Sequence, residues 1–373
     1  MSRKILLLSF LVCSLLVGTV ACSSDDSSPK KEEPNPEPEP NPNPDDDNVE
    51  PGEEEGEEEP TKTGTVNYST FKDVKVGFGD GLSQSAEGTF TFPTDIEKVQ
   101  SIKMYVQNPC QNKNDCDEWD RFANVYVKNK KTNEWYEIGR FITPYWVGSE
   151  KLQRGWEFDV TDFKSLLTGD AEIKIYTETW LPIGRVYSVD FDFIYGESAY
   201  KYSAVTPLFQ HNQSSIDGVP YGTGQTTDLA RTVKLPGNTD MAYFRTIISG
   251  WGHATPNDAG GRGCAEWCYR THLIQLDGSN AFEHYMGPIG CASNPINNQA
   301  PGNWKPDRAG WCPGMVVPVR LNALTGDLKN KTLHFNYQLE PWTANNPEDK
   351  AFYAISTFIV VHSNTPISAA IVN

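Results

Sequence analysis

The chain reads as an all-β protein built from two sandwiches of similar size, and three observations predict this. Apolar and polar residues alternate with period two in Val189-Asp190-Phe191-Asp192-Phe193 and in Leu333-His334-Phe335-Asn336-Tyr337-Gln338-Leu339, as in strands with one buried face. Short runs rich in β-branched and aromatic residues recur at 123–127, 173–176, 315–321 and 352–361. Gly, Pro, Asn and Asp punctuate them at the spacing of sandwich turns. The only helical hints are 163–167 and 227–231, and there is no βαβ pattern or phosphate-cradling loop.

Taken in order, the N-terminus comes first. Arg3 and Lys4 followed by the apolar run 5–20 make a secretory signal too short to suggest a spanning helix. Thr19-Val20-Ala21-Cys22 is lipobox-like, with Thr19 where leucine is usual, so 1–22 reads as signal peptide and lipobox, with Cys22 expected to be lipidated as the mature N-terminus. Ordinary cleavage near Ala21 is the alternative. Ser23-Ser24-Asp25-Asp26 resembles the surface-export signal of some Gram-negative lipoproteins, which places the chain at the outer membrane or cell surface of such a bacterium. Residues 23–63 are Pro, Glu, Asp and Asn with almost no apolar side chain, so they bury too little surface to offset the entropy of ordering. They form a tether reaching on the order of 100 Å.

The tether explains the charge. Residues 23–60 hold sixteen acids and two lysines, a net −14, and 1–22 add +2; of the total −17, only −5 is left for 61–373. A near-balanced folded part without a Lys/Arg cluster argues against nucleic acid or an anionic membrane surface as partner. Membrane contact is expected only through the lipid anchor, and the chain is expected to be a monomer. A boundary at about 199–207 divides the folded part into 64–199 and 200–373, because a strong strand ends at Tyr195-Gly196 and a new series follows the loop 212–224.

Beyond Cys13 in the signal and Cys22, six cysteines remain. Fifteen pairings exist, and short separations favour Cys110–Cys116 and Cys264–Cys268, leaving Cys291–Cys312. Cys264, Cys268 and His272 also resemble a zinc-ligand series, a reading that an oxidising compartment opposes.

Two cysteine-flanked segments concentrate the chemistry: Cys116-Asp117-Glu118-Trp119-Asp120-Arg121 and Cys264-Ala265-Glu266-Trp267-Cys268-Tyr269-Arg270. Glu118, Asp120, Glu266 and Glu178 are the candidate carboxylates. Acids beside Arg121 and Arg270 also form plain surface ion pairs. Trp251, Trp304 and Trp311 sit in turn-like sequence, as sugar-stacking loop indoles or as plugs for the sandwich ends. Paired carboxylates with indoles suit a glycosidase, a glycan amidase or a lectin, and composition does not separate them.

The stretches 78–93, 116–128 and 140–148, with Arg262-Gly263-Cys264-Ala265-Glu266-Trp267-Cys268 and Pro306-Asp307-Arg308-Ala309-Gly310-Trp311-Cys312-Pro313-Gly314-Met315, resemble the bacterial peptide:N-glycosidase F family. The resemblance implies two antiparallel jelly-roll sandwiches side by side with a site between them and no metal or cofactor. It also implies hydrolysis of the amide joining asparagine to the innermost N-acetylglucosamine of N-glycosylated proteins, leaving aspartate and a glycosylamine. It places the principal catalytic carboxylate at Asp120, with supporting acids at Glu266 and Glu178, and makes Glu118 a surface acid. Arg121 and Arg308 would meet the amide and its oxyanion. Trp119, Trp180, Trp251 and Trp311 would shape the cleft, with Tyr145 and Ser215 as minor contacts. The Cys110–Cys116 loop looks one residue longer than in the family.

Overall fold

A period-two burial pattern runs through the strands that keep one wet face, and two stacked sheets per half of the molecule are its result. The computed structural model describes residues 63–373 except 80, 111–115, 214–216, 223–224, 259, 301–302 and 347. Cys22, the tether up to residue 62, Ser215 and the interior of the Cys110–Cys116 loop therefore lie outside the described residues.

The first half contributes β1 (Gly64–Ser69), β2 (Val74–Val76), β3 (Ser85–Phe92), β4 (Val99–Gln107), β5 (Phe122–Asn129), β6 (Glu134–Ile142), β7 (Trp156–Asp159), β8 (Gly169–Thr177) and β9 (Arg185–Tyr195). One sheet runs β1-β9-β4-β7, with β2 also on β9, and the other runs β3-β8-β5-β6. Leaving out β2, the sheets take the first, eighth, third and sixth strands and the second, seventh, fourth and fifth. That order is a jelly roll.

The second half repeats it. Its strands are β10 (Tyr202–His211), β11 (Val219–Pro220), β12 (Ala230–Lys234), β13 (Met241–Ala254), β14 (Cys264–Ala265), β15 (Thr271–Leu276), β16 (Ser279–Tyr285), β17 (Val319–Ala323), β18 (Thr332–Gln338), β19 (Ala351–Ser363) and β20 (Ile371–Val372). The sheets run β10-β19-β13-β17 and β16-β15-β18-β12-β20, with β11 on β19 and β14 on β13. All pairings are antiparallel, as in β1 with β9 and β13 with β19.

Two expectations need correction. Residues 227–231 are not helical: Ala230 and Arg231 already pair with Asn336 and Phe335. The run 315–321 is not one strand. Gly314 and Val317 donate to Ile142 and Arg140 of the first sandwich, whereas Val319–Ala323 pairs with β13. Pro318, which has no N–H to give either ladder, lies between. The hint at 163–167 is a short turn, in which Leu166 and Leu167 both donate to Phe163 O.

The strands that break the alternation show where the halves meet. β5, β6, β13 and β19 are buried on both faces over most of their length, because the second face of each packs on the other sandwich. Tyr136 and Phe163 meet Phe358 at ring-centroid distances of 5.7 and 5.6 Å, and Phe358, Val360 and Val205 join the core of the first sandwich. The second core gathers Phe244, Ile248, Phe335, Tyr337, Tyr353 and Ile359.

In that second sandwich His272 and His284 are cross-strand partners, both buried. His272 Nδ1 accepts the Glu340 N–H at 2.9 Å, and His284 lies 2.7 Å from Asn322 Oδ1 and 3.1 Å from Tyr337 Oη. Burial holds His272 down at about 3 and His284 at about 4. Both are neutral in the fold and gain a proton only on unfolding near pH 6.5, so their stabilising share is full above about 6.5 and is lost as pH falls toward the folded values. Denaturant titrations between pH 7 and pH 5 should show a loss of about 1 kcal/mol per histidine per pH unit below 6.5. His284→Gln should lose about 1 kcal/mol less than the wild type per pH unit over that range.

Candidate active site

Three disulfides fix the loops that carry the polar cluster: Cys110–Cys116, Cys264–Cys268 and Cys291–Cys312, with Cα separations of 5.7, 4.9 and 5.3 Å. These are the pairings favoured by sequence separation. The zinc reading falls, since Cys264 and Cys268 are bonded to each other and His272 is buried with its Nδ1 on the Glu340 N–H.

Asp120 lies just before β5, on the first sandwich. Its Oδ2 is buried without a hydrogen bond among the described residues, 3.4 Å from Arg308 Nη2. The Tyr145 hydroxyl is its hydrogen-bond partner. Burial pushes the Asp120 carboxyl up to about 6; Arg308 opposes the shift, and the negative charge of Glu266 adds to it. An orphaned buried acceptor of this kind asks for a water or substrate donor.

Arg308 is the hub. Its Nε donates to Glu266 Oε1 at 3.2 Å, its Nη1 to the carbonyls of Asn303 and Pro306 at 2.7 and 3.1 Å, and its Nη2 to Tyr145 Oη at 3.0 Å. The guanidinium sits between Trp267 and Trp311, 4.5 and 4.9 Å from their ring centroids, and is 1 % exposed. Neighbouring Asp307 locks this loop, because its Oδ1 accepts the N–H groups of Ile289, Gly290 and Cys291 at 2.7 to 3.0 Å. Asp120 and Tyr145 come from the first half of the chain, Glu266 and Arg308 from the second.

Glu266 is held from its other oxygen by His253, whose Nε2 is 2.9 Å from Oε2. The same Nε2 lies 3.1 Å from the Trp267 indole N–H, and one nitrogen cannot donate to the acid while accepting from the indole. The shorter, charge-assisted contact with Glu266 decides it, and that hydrogen bond raises the His253 pKa. Glu178 arrives through the backbone: its N–H donates to Phe122 O, which places it beside 120–122 at the end of β8.

Arg121 is committed to a residue that the sequence left unassigned. Its Nε and Nη2 pair with both oxygens of Asp117, at 2.6 and 3.0 Å, and it lies 5.3 Å over Trp180. Among the described residues its Nη1 makes no hydrogen bond. Trp119 and Trp180 are about half exposed and line a groove of about 330 Å³ with Arg121, Trp146 and Leu181. The other loop indoles differ from expectation. Trp304 and Trp311 are buried, so Trp311 offers no face to a ligand and instead backs Trp251, stacked at 4.2 Å. Glu118 is exposed, as a surface acid should be. Asp117, His253 and Trp267 were missed because each acts through a residue that spacing does not link to it; only the adjacency of Trp267 to Glu266 hinted at one of them. A larger cavity, about 560 Å³, is lined by Lys164, Tyr243, Arg245 and His362 and contains none of these groups, so volume alone does not locate the chemistry.

Fold and site together define a two-jelly-roll protein with a carboxylate–arginine cluster where its halves meet. Residues 126–193 match the family model described as Peptide-N-glycosidase F, N terminal, and 221–360 the one described as Peptide-N-glycosidase F, C terminal. The chain belongs to the peptide-N-glycosidase F family. It is 64 % identical over 308 residues to the peptide-N(4)-(N-acetyl-beta-D-glucosaminyl)asparagine amidase F of Elizabethkingia miricola, covering 83 % of this chain and 87 % of that one. A solved structure of PNGase F from Flavobacterium meningosepticum, described as a glycosylasparaginase, is also 64 % identical, covers 83 % of this chain and 99 % of its own, and superposes with a TM-score of 0.81. PNGF-II shares the fold at 18 % identity and a TM-score of 0.64, over 81 % of this chain and 65 % of its own.

A carboxyl whose folded pKa is raised destabilises the fold once it is ionised. The wild type therefore carries this cost above about pH 6, and loses it as pH falls toward the unfolded value near 3.8. Asp120→Asn should unfold at higher temperature than the wild type at pH 8, and the gap should shrink toward pH 4 in paired calorimetric scans.

Proposed function

We propose that the chain is a hydrolase of the peptide-N(4)-(N-acetyl-beta-glucosaminyl)asparagine amidase class. It cleaves the amide between an asparagine side chain and the innermost N-acetylglucosamine of N-glycosylated proteins or glycopeptides. The observation that carries the reading is Asp120, a carboxyl of raised pKa whose buried Oδ2 makes no hydrogen bond among the described residues, tied to Tyr145 and Arg308 in a chain of this family.

In this mechanism ionised Asp120 takes a proton from the water that attacks the amide carbon. Charge builds on the former carbonyl oxygen, and Arg121, with its Nη1 uncommitted among the described residues and its other nitrogens fixed by Asp117, supplies donors there. Collapse breaks the C–N bond, and the Asp120 proton leaves with the nitrogen as a 1-amino sugar that later loses ammonia. The peptide keeps an aspartate. Arg308, with all three nitrogens engaged, holds Asp120, Tyr145 and Glu266 in place rather than meeting the oxyanion. Glu266, braced by His253, and Glu178 serve as supporting acids. Trp119, Trp180 and Trp251 wall the cleft, with Trp311 behind Trp251, and Ser215 is kept as a minor contact. A glycosidase needs its carboxyls on opposite sides of a scissile bond, whereas Asp120 and Glu266 are bound by one guanidinium, which favours the amidase.

Mass spectrometry of a digested glycopeptide tests the reading: aspartate without sugar supports it, a retained N-acetylglucosamine indicates an endoglycosidase, and an intact glycopeptide a lectin. Asp120→Asn should lower turnover by at least about 10³-fold with glycopeptide binding kept, and Glu266→Gln by on the order of 10²-fold. The acid limb of kcat/KM should fall near pH 6 and move upward in Tyr145→Phe, because the lost hydrogen bond favoured the ionised form.

We infer as well that the enzyme is an exported monomer, anchored by lipid at Cys22 and held off a Gram-negative surface by the acidic tether 23–63. Sandwiches at 64–199 and 200–373 are the matching domain division. Metabolic labelling with a fatty acid should mark the wild type in the membrane fraction, and Cys22→Ser should abolish the label; label-free protein found only in the medium would refute the anchor.

A further inference from the structure

We propose that Ser249, held from across the seam by Arg140, is a positioning residue for the aromatic wall of the site. The inference rests on the amidase reading above and deepens it. Ser249 is fully buried on β13, and its hydroxyl oxygen accepts two N–H groups at once, Trp251 Nε1 at 2.9 Å and Arg140 Nη1 at 3.0 Å.

A serine hydroxyl alone is a poor anchor, since its χ1 has three staggered wells. Arg140 selects one of them. That guanidinium is itself immobile: Nε and Nη2 lie 2.8 Å from the two oxygens of Glu137, and Nη1 also reaches Ala354 O at 2.7 Å. The planar fork leaves a single direction for the bond to Ser249.

Trp251 lies two residues on, on the same face of the strand, so its indole turns back to the oxygen rather than outward. The held ring stacks on Trp311 at 4.2 Å and 19° and meets the edge of Phe122 at 5.7 Å, while the Arg140 guanidinium lies 4.9 Å over that same Phe122. Arg308 lies over Trp311. A continuous line of contacts thus runs from the Glu137–Arg140 pair through Ser249, Trp251 and Trp311 to the arginine that holds Asp120.

The competing account is that Ser249 only satisfies a buried arginine. That role changes stability, whereas positioning changes Trp251 and acts through it. The experiment is a double-mutant cycle of Ser249→Ala and Trp251→Phe, with kcat/KM on a glycopeptide, melting temperature, and hydrogen exchange of the Trp251 indole N–H in 15N-tryptophan-labelled protein, its resonance assigned from the Trp251→Phe spectrum. Ser249→Ala should lower kcat/KM about tenfold in the wild-type background and less than about twofold on Trp251→Phe, with indole exchange at least about tenfold faster. Ser249→Cys, which keeps the volume but accepts weakly, guards against misfolding and should behave like the alanine variant. Multiplicative losses in the cycle, or an indole N–H as protected in both Ser249 variants as in the wild type, overturn the proposal. If the wild type releases no aspartate, the amidase reading fails, and the exchange measurement still decides whether Ser249 holds Trp251.

Discussion

The ion pair of Glu137 and Arg140, with both side chains fully buried, is the constraint on which the two-sandwich arrangement turns. Desolvating two charges costs several kcal/mol each, and mutual attraction offsets this only when the remaining donors and acceptors are also satisfied. Here the second sandwich supplies them. Arg140 reaches Ser249 and Ala354, while Glu137 accepts from Asn212 and from the Ser356 hydroxyl in addition to Asn124 of its own side. Neither sandwich alone can satisfy the pair. Separating them would expose the apolar second faces of β5, β6, β13 and β19 and leave that pair without its cross-seam partners, so the seam is a required part of the fold.

The site inherits this dependence. Asp120 and Tyr145 are fixed by the first sandwich, Glu266 and Arg308 by loops of the second, and no element of one half carries enough of the cluster to work alone. Rigid side chains do the joining. Arg308 is clamped between two indoles and its loop is pinned by the Asp307 carboxylate and the Cys291–Cys312 bond, so the position of Asp120 depends on packing rather than on a mobile lid.

What the residues alone revealed follows the same physics. Strands with one wet face, such as β9 and β18, alternate and were legible; β19, dry on both faces, was recognised only by β-branched and aromatic content, and β13, equally dry, was not singled out at all. The run 315–321 misled because two different partners claim its halves, a tertiary fact with no local sign. Loop tryptophans looked exposed because turn-like sequence says nothing about what covers it, and Trp311 is covered by Trp251 and Arg308. Within Cys116–Arg121 three acids stood close together, and only geometry gives Asp117 to Arg121. His253 stands thirteen residues before Glu266, and only the β13–β14 pairing brings His253 beside Ala265. The disulfides were readable by short separation. The roles of Asp120, Glu266 and Arg308 came from resemblance to a family, not from spacing.

The two arginines next to the carboxylates divide the work by how they are spent. A guanidinium that must meet a charge arising only in the transition state needs N–H groups free in the ground state and a frame that does not relax when they are used. Arg308 fails the first condition, since Glu266, Tyr145, two carbonyls and the approach to Asp120 take up its three nitrogens. In the proposed mechanism Arg121 meets both: Asp117 fixes one edge of its fork, Trp180 supports its face, and Nη1 makes no hydrogen bond among the described residues. The acids divide likewise. Glu266 is held between the Arg308 guanidinium and the His253 ring, whereas burial and the negative charge of Glu266 push the Asp120 carboxyl up to about 6. In the proposed mechanism one carboxylate thus holds the frame, and the other, raised to about 6, takes a proton from water.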